Sequence, residues 1–227
     1  MNKAIYIFWG IAVFLLISIL PNTAAAAVIT YPGSTFTDLQ DAIGEAVSGD
    51  TIMISSGSYV ESNSDLDDTD LTIIGAGRNS TFLDGDNTDN LFQIDNGGNV
   101  LIKDLTIFNG NTGEGGAIEN YGTLTVKNCD FRDNSATDDG GAIFSVGELI
   151  VNNCVFIDNN ADDGAAISVP AEDLTITNSE IYDNSALDDG GGIYARGADN
   201  ISISNTLIDL NITEASSGGG IYCNDIS

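Results

Sequence analysis

The 227-residue chain has no histidine, and only six Lys or Arg residues against 34 Asp or Glu, for a formal net charge of −28. Without histidine there is no histidine general base, no Ser-His-Asp triad and no His-ligated zinc site. So few cations, none of them clustered, exclude a nucleic-acid partner and disfavour an anionic membrane surface. Divalent cations and neutral or cationic partners fit this charge, as does a salt-adapted source. Three cysteines, Cys129, Cys154 and Cys223, are too few for a disulfide-built scaffold, and their odd number leaves at least one unpaired within the chain. Beyond residue 27 no run is long and apolar enough to span a membrane.

The N-terminus has a different composition. Lys3 precedes an apolar run from Ile5 to Leu20, followed by Pro21 and then four alanines, Ala24 to Ala27. A basic start, an apolar core and small residues spaced for cleavage predict a secretory signal peptide over 1–27, with an uncleaved anchor as the other reading. The mature chain is then a secreted or cell-surface protein. The rest, 28–227, has the length of one domain.

That domain is a repeat. Leu124-Thr-Val-Lys-Asn-Cys-Asp-Phe-Arg-Asp-Asn134 aligns with segments beginning at Leu149, Leu174 and Ile201, whose starts are 25, 25 and 27 residues apart. A second motif, Gly-Gly-Ala-Ile at 115–118 and 140–143, recurs in drifted form and ends at Ile167, Ile193 and Ile221. Within each segment apolar and polar residues alternate, the pattern of strands with one face inward. Each unit is too short to bury its inner face alone and needs its neighbours. The spacing predicts an all-β, right-handed parallel β-helix of about 25 residues per coil, rising about 4.8 Å per coil. Stacking then places Asn128, Asn153, Asn178 and Asn205 in one ladder and Asn134, Asn159, Asn184 and Asn211 in another. Cys129 and Cys154 share a column with Ser179 and Thr206, either as small buried side chains or as a disulfide between neighbouring coils.

Upstream, Thr51–Ile54, Leu71–Ile74, Leu91–Ile94 and Leu101–Ile107 read as irregular earlier coils. Ahead of them, Leu39, Ala42, Ile43, Ala46 and Val47 fall on one helical face. A capping helix is predicted over 35–48, with Thr37 and Gln40 as a capping box, covering the first open coil. At the other end the chain stops as a further coil begins, so the β-helix domain is expected to be incomplete at its C-terminus.

The helix followed by Gly49-Asp50-Thr51-Ile-Met-Ile resembles the start of right-handed β-helix proteins of the pectin-lyase-like superfamily. The pairing of Gly-Gly-Ala-Ile with Phe-x-x-Asn (131–134 and 156–159) is similar to the repeat of chlamydial polymorphic outer-membrane proteins and of adhesin-like surface proteins of methanogenic archaea. The resemblance spans about 30–227 and implies fold and surface location more than activity.

Three aspartate pairs recur at one corner of successive coils: Asp138-Asp139, Asp162-Asp163 and Asp188-Asp189. They read either as a solvated turn, where Asp and Gly are usual, or as a Ca²⁺ site built of carboxylate oxygens. Asp133, Asp158 and Asp183 could add ligands if the turn folds back. Phe144, Tyr194 and Tyr222 share a column with Glu119 and Ser168 and are expected to face outward. Asn79, Asn200 and Asn211 head N-glycosylation sequons, Asn211 also belonging to a ladder.

The function most consistent with a regular repeat is an adhesin-like surface module whose acidic face binds an extracellular polysaccharide or protein. The superfamily resemblance implies an alternative, a calcium-dependent uronate lyase with an Arg or Lys base. Its candidates are Arg78, Lys103, Lys127, Arg132 and Arg196. A structural cell-wall or S-layer component is a third reading.

Overall fold

The computed structural model describes residues 25–215 and 217–224. The chain winds into a parallel β-solenoid with four faces. The first carries an eight-stranded sheet that runs from Val28–Tyr31 to Ile201–Ser204, one strand per coil. The second, from Gly57–Val60 to Leu207–Asp209, has seven strands. A short five-stranded sheet, Asn111–Thr112 to Ile212–Thr213, turns the corner into a fourth, seven-stranded sheet, Ser64–Asp65 to Ile221–Asn224. All pairings are parallel.

The columns read from the repeat are those observed. Leu124, Leu149, Leu174 and Ile201 are register partners, as are Val126, Val151, Ile176 and Ile203. The first three of each set are fully buried. Inside the second sheet Phe131 and Phe156 stack with ring centroids 4.7 Å apart and planes 6° off parallel, and Ile181 and Ile208 continue that column. Among the early segments, Phe92–Ile94 belongs to the fourth sheet, whereas Leu71–Gly75 and Asn99–Lys103 belong to the first.

The two asparagine ladders differ in kind. Asn128, Asn153, Asn178 and Asn205 have φ between 52° and 54°, and they turn the chain from the first sheet to the second. Asparagine suits this left-handed conformation because its short polar side chain tolerates it. The second ladder is buried, with Asn134, Asn159 and Asn184 at most 1% exposed.

The helix is shorter than its periodicity suggests. It spans Leu39–Gly44 and buries Leu39, Ala42 and Ile43, whereas Val47 is 61% exposed. Its N-cap is Asp38, which accepts the Asp41 N–H at 2.8 Å. Thr37 instead donates its backbone N–H (2.9 Å) and its hydroxyl (2.6 Å) to the Asp41 carboxylate. Gln40 does not close a capping box. Its side chain reaches the edge strand Ser64–Asp65, accepting the Asp65 N–H at 2.8 Å. The amide thereby stands in for a missing neighbouring strand, and the helix covers that edge. Glu61, buried, ties the cap down by accepting the Leu39 N–H at 3.0 Å and the Tyr31 hydroxyl.

The expected leader, 1–27, lies outside the described residues up to residue 24. Ala27 is already in the first coil, donating its N–H to Asp50 at 2.6 Å and accepting from Thr51 at 2.9 Å. Among the described residues no helix is long and apolar enough to cross a membrane.

Candidate functional site

Each coil turns from the short sheet to the fourth sheet through a glycine with positive φ: Gly115, Gly140, Gly164, Gly190 and Gly218, at 60–72°. A Cβ at Gly140 would lie 2.5 Å from the Ile143 carbonyl oxygen, so glycine is required there. The residue just before the glycine is held over the outer face of the fourth sheet. In three consecutive coils that residue is Asp139, Asp163 or Asp189.

These second members of the aspartate pairs are half-buried, whereas Asp138 and Asp188 are exposed and Asp162 is intermediate. Asp139 and Asp163 are parallel bridge partners. Asp163 accepts the Asp189 N–H at 2.7 Å, Asp189 accepts the Ser217 N–H at 2.9 Å, and Asp139 accepts the Ser168 hydroxyl at 3.3 Å. The first members align through backbone bonds: Asp162 donates to the Asp138 carbonyl and Asp188 to that of Asp162, both at 2.8 Å. The structure therefore orders the six predicted residues as two columns, the second members half-buried throughout and the first members exposed at Asp138 and Asp188 but half-buried at Asp162.

Burial pushes the Asp139 carboxyl up to about 6, helped by the neighbouring Asp163, Glu114 and Asp138 charges and opposed by the Ser168 bond. Asp163 is also raised, by burial first and by Asp189, Asp188 and Asp162, against the Asp189 N–H bond. Glu114, one coil below, is raised by burial and then by Glu119 and Asp138. These shifts share one cause, carboxylates stacked at coil spacing against a sheet face with partial access to water.

Glu119, Phe144, Ser168, Tyr194 and Tyr222 are register partners on that face, as the repeat predicts. The expectation that the aromatics project into solvent is corrected: Phe144 is 6% and Tyr194 7% exposed. They lie outside the main core, and the acidic turn folds back over Tyr194. A Cβ on Gly164 would sit 2.9 Å from that of Tyr194. Tyr194 and Tyr222 stack at 5.4 Å and 9°. Asp133, Asp158 and Asp183 lie at the end of the second-sheet strands. They occupy a left-handed turn position at φ 54–56° before the buried asparagines.

The opposite flank of the fourth sheet is a polar groove of about 440 Å³ whose lining includes Gly98, Tyr121, Gly122, Gly147, Glu148 and Glu172. Its floor is tight: a Cβ on Gly147 would lie 1.8 Å from the Gly122 carbonyl oxygen. The Tyr121 hydroxyl donates to Glu119, joining groove and acidic face.

Among the described residues, the three acidic side chains with ligand atoms within 4.8 Å of one another are Asp65, Asp67 and Asp95, not three of the six in the turns. That trio joins two consecutive coils and escapes the sequence because its spacing lies outside the regular repeat. Of the basic residues, Arg78 and Arg132 both clasp Asp130 on the second sheet, at 3.4 and 3.0 Å. Lys103 and Lys127 are register partners on the first sheet. Of the sequon asparagines, Asn79 and Asn200 are exposed. The Asn211 amide is engaged in its ladder, donating to the Ile181 carbonyl at 2.8 Å.

These features define a right-handed β-solenoid with an acidic flank. The family described as right handed beta helix region matches residues 56–227, and the chain belongs to it. Among solved structures, the chain is similar to an arginine mutant of the PL6-family alginate lyase AlyGC, at 15% identity and a TM-score of 0.44, over 90% of this chain and 41% of that one. This chain thus spans well under half that enzyme's length. No curated protein sequence matches it.

Proposed function

We propose that this chain is a secreted or cell-surface, adhesin-like β-helix module whose acidic, repetitive face binds an extracellular polysaccharide or protein. The observation that carries the reading is the half-buried column Asp139, Asp163 and Asp189, repeated in register over three coils. A feature copied from coil to coil suits an extended partner, whereas catalysis needs one singular site. The signal-like N-terminus and the resemblance of the repeat to surface adhesins support the same reading. Ca²⁺ belongs to it as the cation held at Asp138, Asp139, Asp162, Asp163, Asp188 and Asp189, since it favours clustered oxygen ligands.

The alternative, a calcium-dependent uronate lyase, has less support. Arg78 and Arg132 are committed to Asp130, the lysines lie on the first sheet, away from the acidic turn, and of the five candidates Arg196 alone, at the end of the strand Ile193–Arg196, is on the fourth sheet. The test is retention of the purified chain on cells and on immobilised extracellular polysaccharide. The triple variant Asp139→Asn, Asp163→Asn, Asp189→Asn should lose at least about tenfold in affinity, or about 1.4 kcal/mol. Unchanged retention would sink the binding face, and release of unsaturated sugars from a polyuronate would establish the lyase.

A further inference from the structure

Behind each left-handed asparagine, where the first sheet turns into the second, one small side chain points into the corner. The column reads Cys129, Cys154, Ser179, Thr206. The cysteines are 0% and 1% exposed. Their neighbours on both sides are register partners, Lys127 with Asn152 and Asp130 with Val155, so Cys129 and Cys154 lie directly one above the other. In-register parallel strands are about 4.8 Å apart, within the Cα separations of about 4.4–6.8 Å that a disulfide spans. Both thiols adopt the same orientation. Cys129 Sγ donates to the Lys127 carbonyl and Cys154 Sγ to that of Asn152, each at 3.4 Å. Cys129 Sγ also lies 3.7 Å from the Ile102 carbonyl oxygen, one coil below. The next two coils repeat the geometry with hydroxyls, Ser179 to Thr177 at 2.9 Å and Thr206 to Ser204 at 3.0 Å. Both are free thiols in this structure.

We propose that Cys129 and Cys154 are a disulfide-forming pair that staples one coil to the next when the chain folds in the presence of an oxidised small-molecule disulfide. The thiolate of one cysteine attacks a sulfur of that disulfide and releases one small thiol. The second thiolate then attacks the mixed disulfide and releases the other. The cysteines lose two protons and two electrons, and the small disulfide takes up both. Burial raises the Cys129 thiol well above its ordinary range, so exchange belongs to the folding chain, before the corner closes. The inference is independent of the binding face.

The experiment uses the full chain carrying Cys223→Ser, which removes the exposed third thiol. It is unfolded under reduction and refolded with a glutathione redox buffer. The expected product is two hydrogens lighter, and its digest holds one peptide pair linked through Cys129 and Cys154. It should melt about 5–10 °C above the reduced protein. Adding Cys129→Ser, which the Ser179 position shows the column accepts, should abolish the link and that increment. Two alkylatable thiols, or glutathione bound singly at either position, would overturn the proposal. The linkage is read by mass, so it does not depend on the Cys129→Ser variant folding.

Discussion

Asn134 aims two donors at one oxygen of Asn159: its amide nitrogen is 3.0 Å and its backbone nitrogen 3.1 Å from Asn159 Oδ1. Asn159 treats Asn184 in the same way, at 2.9 and 3.0 Å, and Asn184 does so with Asn211, at 2.8 and 3.1 Å. Each amide also donates to a strand carbonyl, Asn159 to Phe131 at 3.1 Å. Replacing Asn159 by Ala would strand the Asn134 backbone N–H and one of its amide hydrogens in a buried corner. Asn159→Ala should cost about 3 kcal/mol, near the upper limit for buried polar groups left unpaired. Denaturant unfolding would show it, and a loss under 1 kcal/mol would mean water replaces the amide.

Two glycines one coil apart give a matched test of the acidic turn. A Cβ at Gly140 meets the Ile143 oxygen at 2.5 Å with φ at +68°, while one at Gly113 finds Asp138 Oδ2 at 4.0 Å. Gly140→Ala should destabilise by at least about 2 kcal/mol, from left-handed strain plus the clash. Gly113→Ala should change stability by less than about 0.5 kcal/mol. Equal effects would mean that the turn relaxes freely.

The raised carboxyls set a pH dependence. A carboxyl whose folded pKa is raised takes up its proton more readily when folded. Its stabilising contribution is complete below the unfolded value and is lost as pH rises through the folded one. For Asp139 that window runs from its ordinary 3.8 to about 6. Stability should therefore rise as pH falls from about 7 to about 4, with Asp139 giving about 1–2 kcal/mol after discounting for its partial exposure. Asp50 and Asp41 are shifted the other way, chiefly by N–H and hydroxyl bonds from Val47, Ala27 and Thr37. Their contribution is lost only at lower pH. Melting curves of Asp139→Asn should be flatter between about pH 4 and 7 and higher at neutral pH. An unchanged profile would contradict the crowding.

Calcium should act on the same column. At neutral pH it should stabilise the fold saturably, by about 2.7 kcal/mol at a hundredfold excess over Kd, and so raise the melting point, and magnesium should do much less. Asp163→Asn should abolish the rise if the repeated turns hold the ion. Asp95→Asn should abolish it if the trio Asp65, Asp67 and Asp95 does. No shift in the parent protein would leave the aspartates as solvated turn residues.

The coil pattern was legible because a solenoid turns sequence period directly into spatial column. Leu124, Leu149 and Leu174 are 25 residues apart and register partners at once. The helix cap was not legible. Thr37 and Gln40 satisfy a local capping pattern, but the unpaired backbone of Asp65, 25 residues away, competes for the Gln40 side chain. Phe144 and Tyr194 were placed on the correct face yet assigned the wrong exposure. Alternation along a strand tells which side a residue faces, not what crosses over that side.

By itself, the sequence determined the repeat length, the inward columns, the asparagine ladders and the acidity, since each follows from residue type and spacing. Only the tertiary structure decided that Asp139 and Asp189 are more buried than Asp138 and Asp188. Only it showed that Phe144 and Tyr194 are buried, that Arg78 and Arg132 share Asp130, and that Asp67 and Asp95 meet. Those outcomes depend on how one coil's turn bends over its neighbours, which is a matter of packing in three dimensions and leaves no period in the chain.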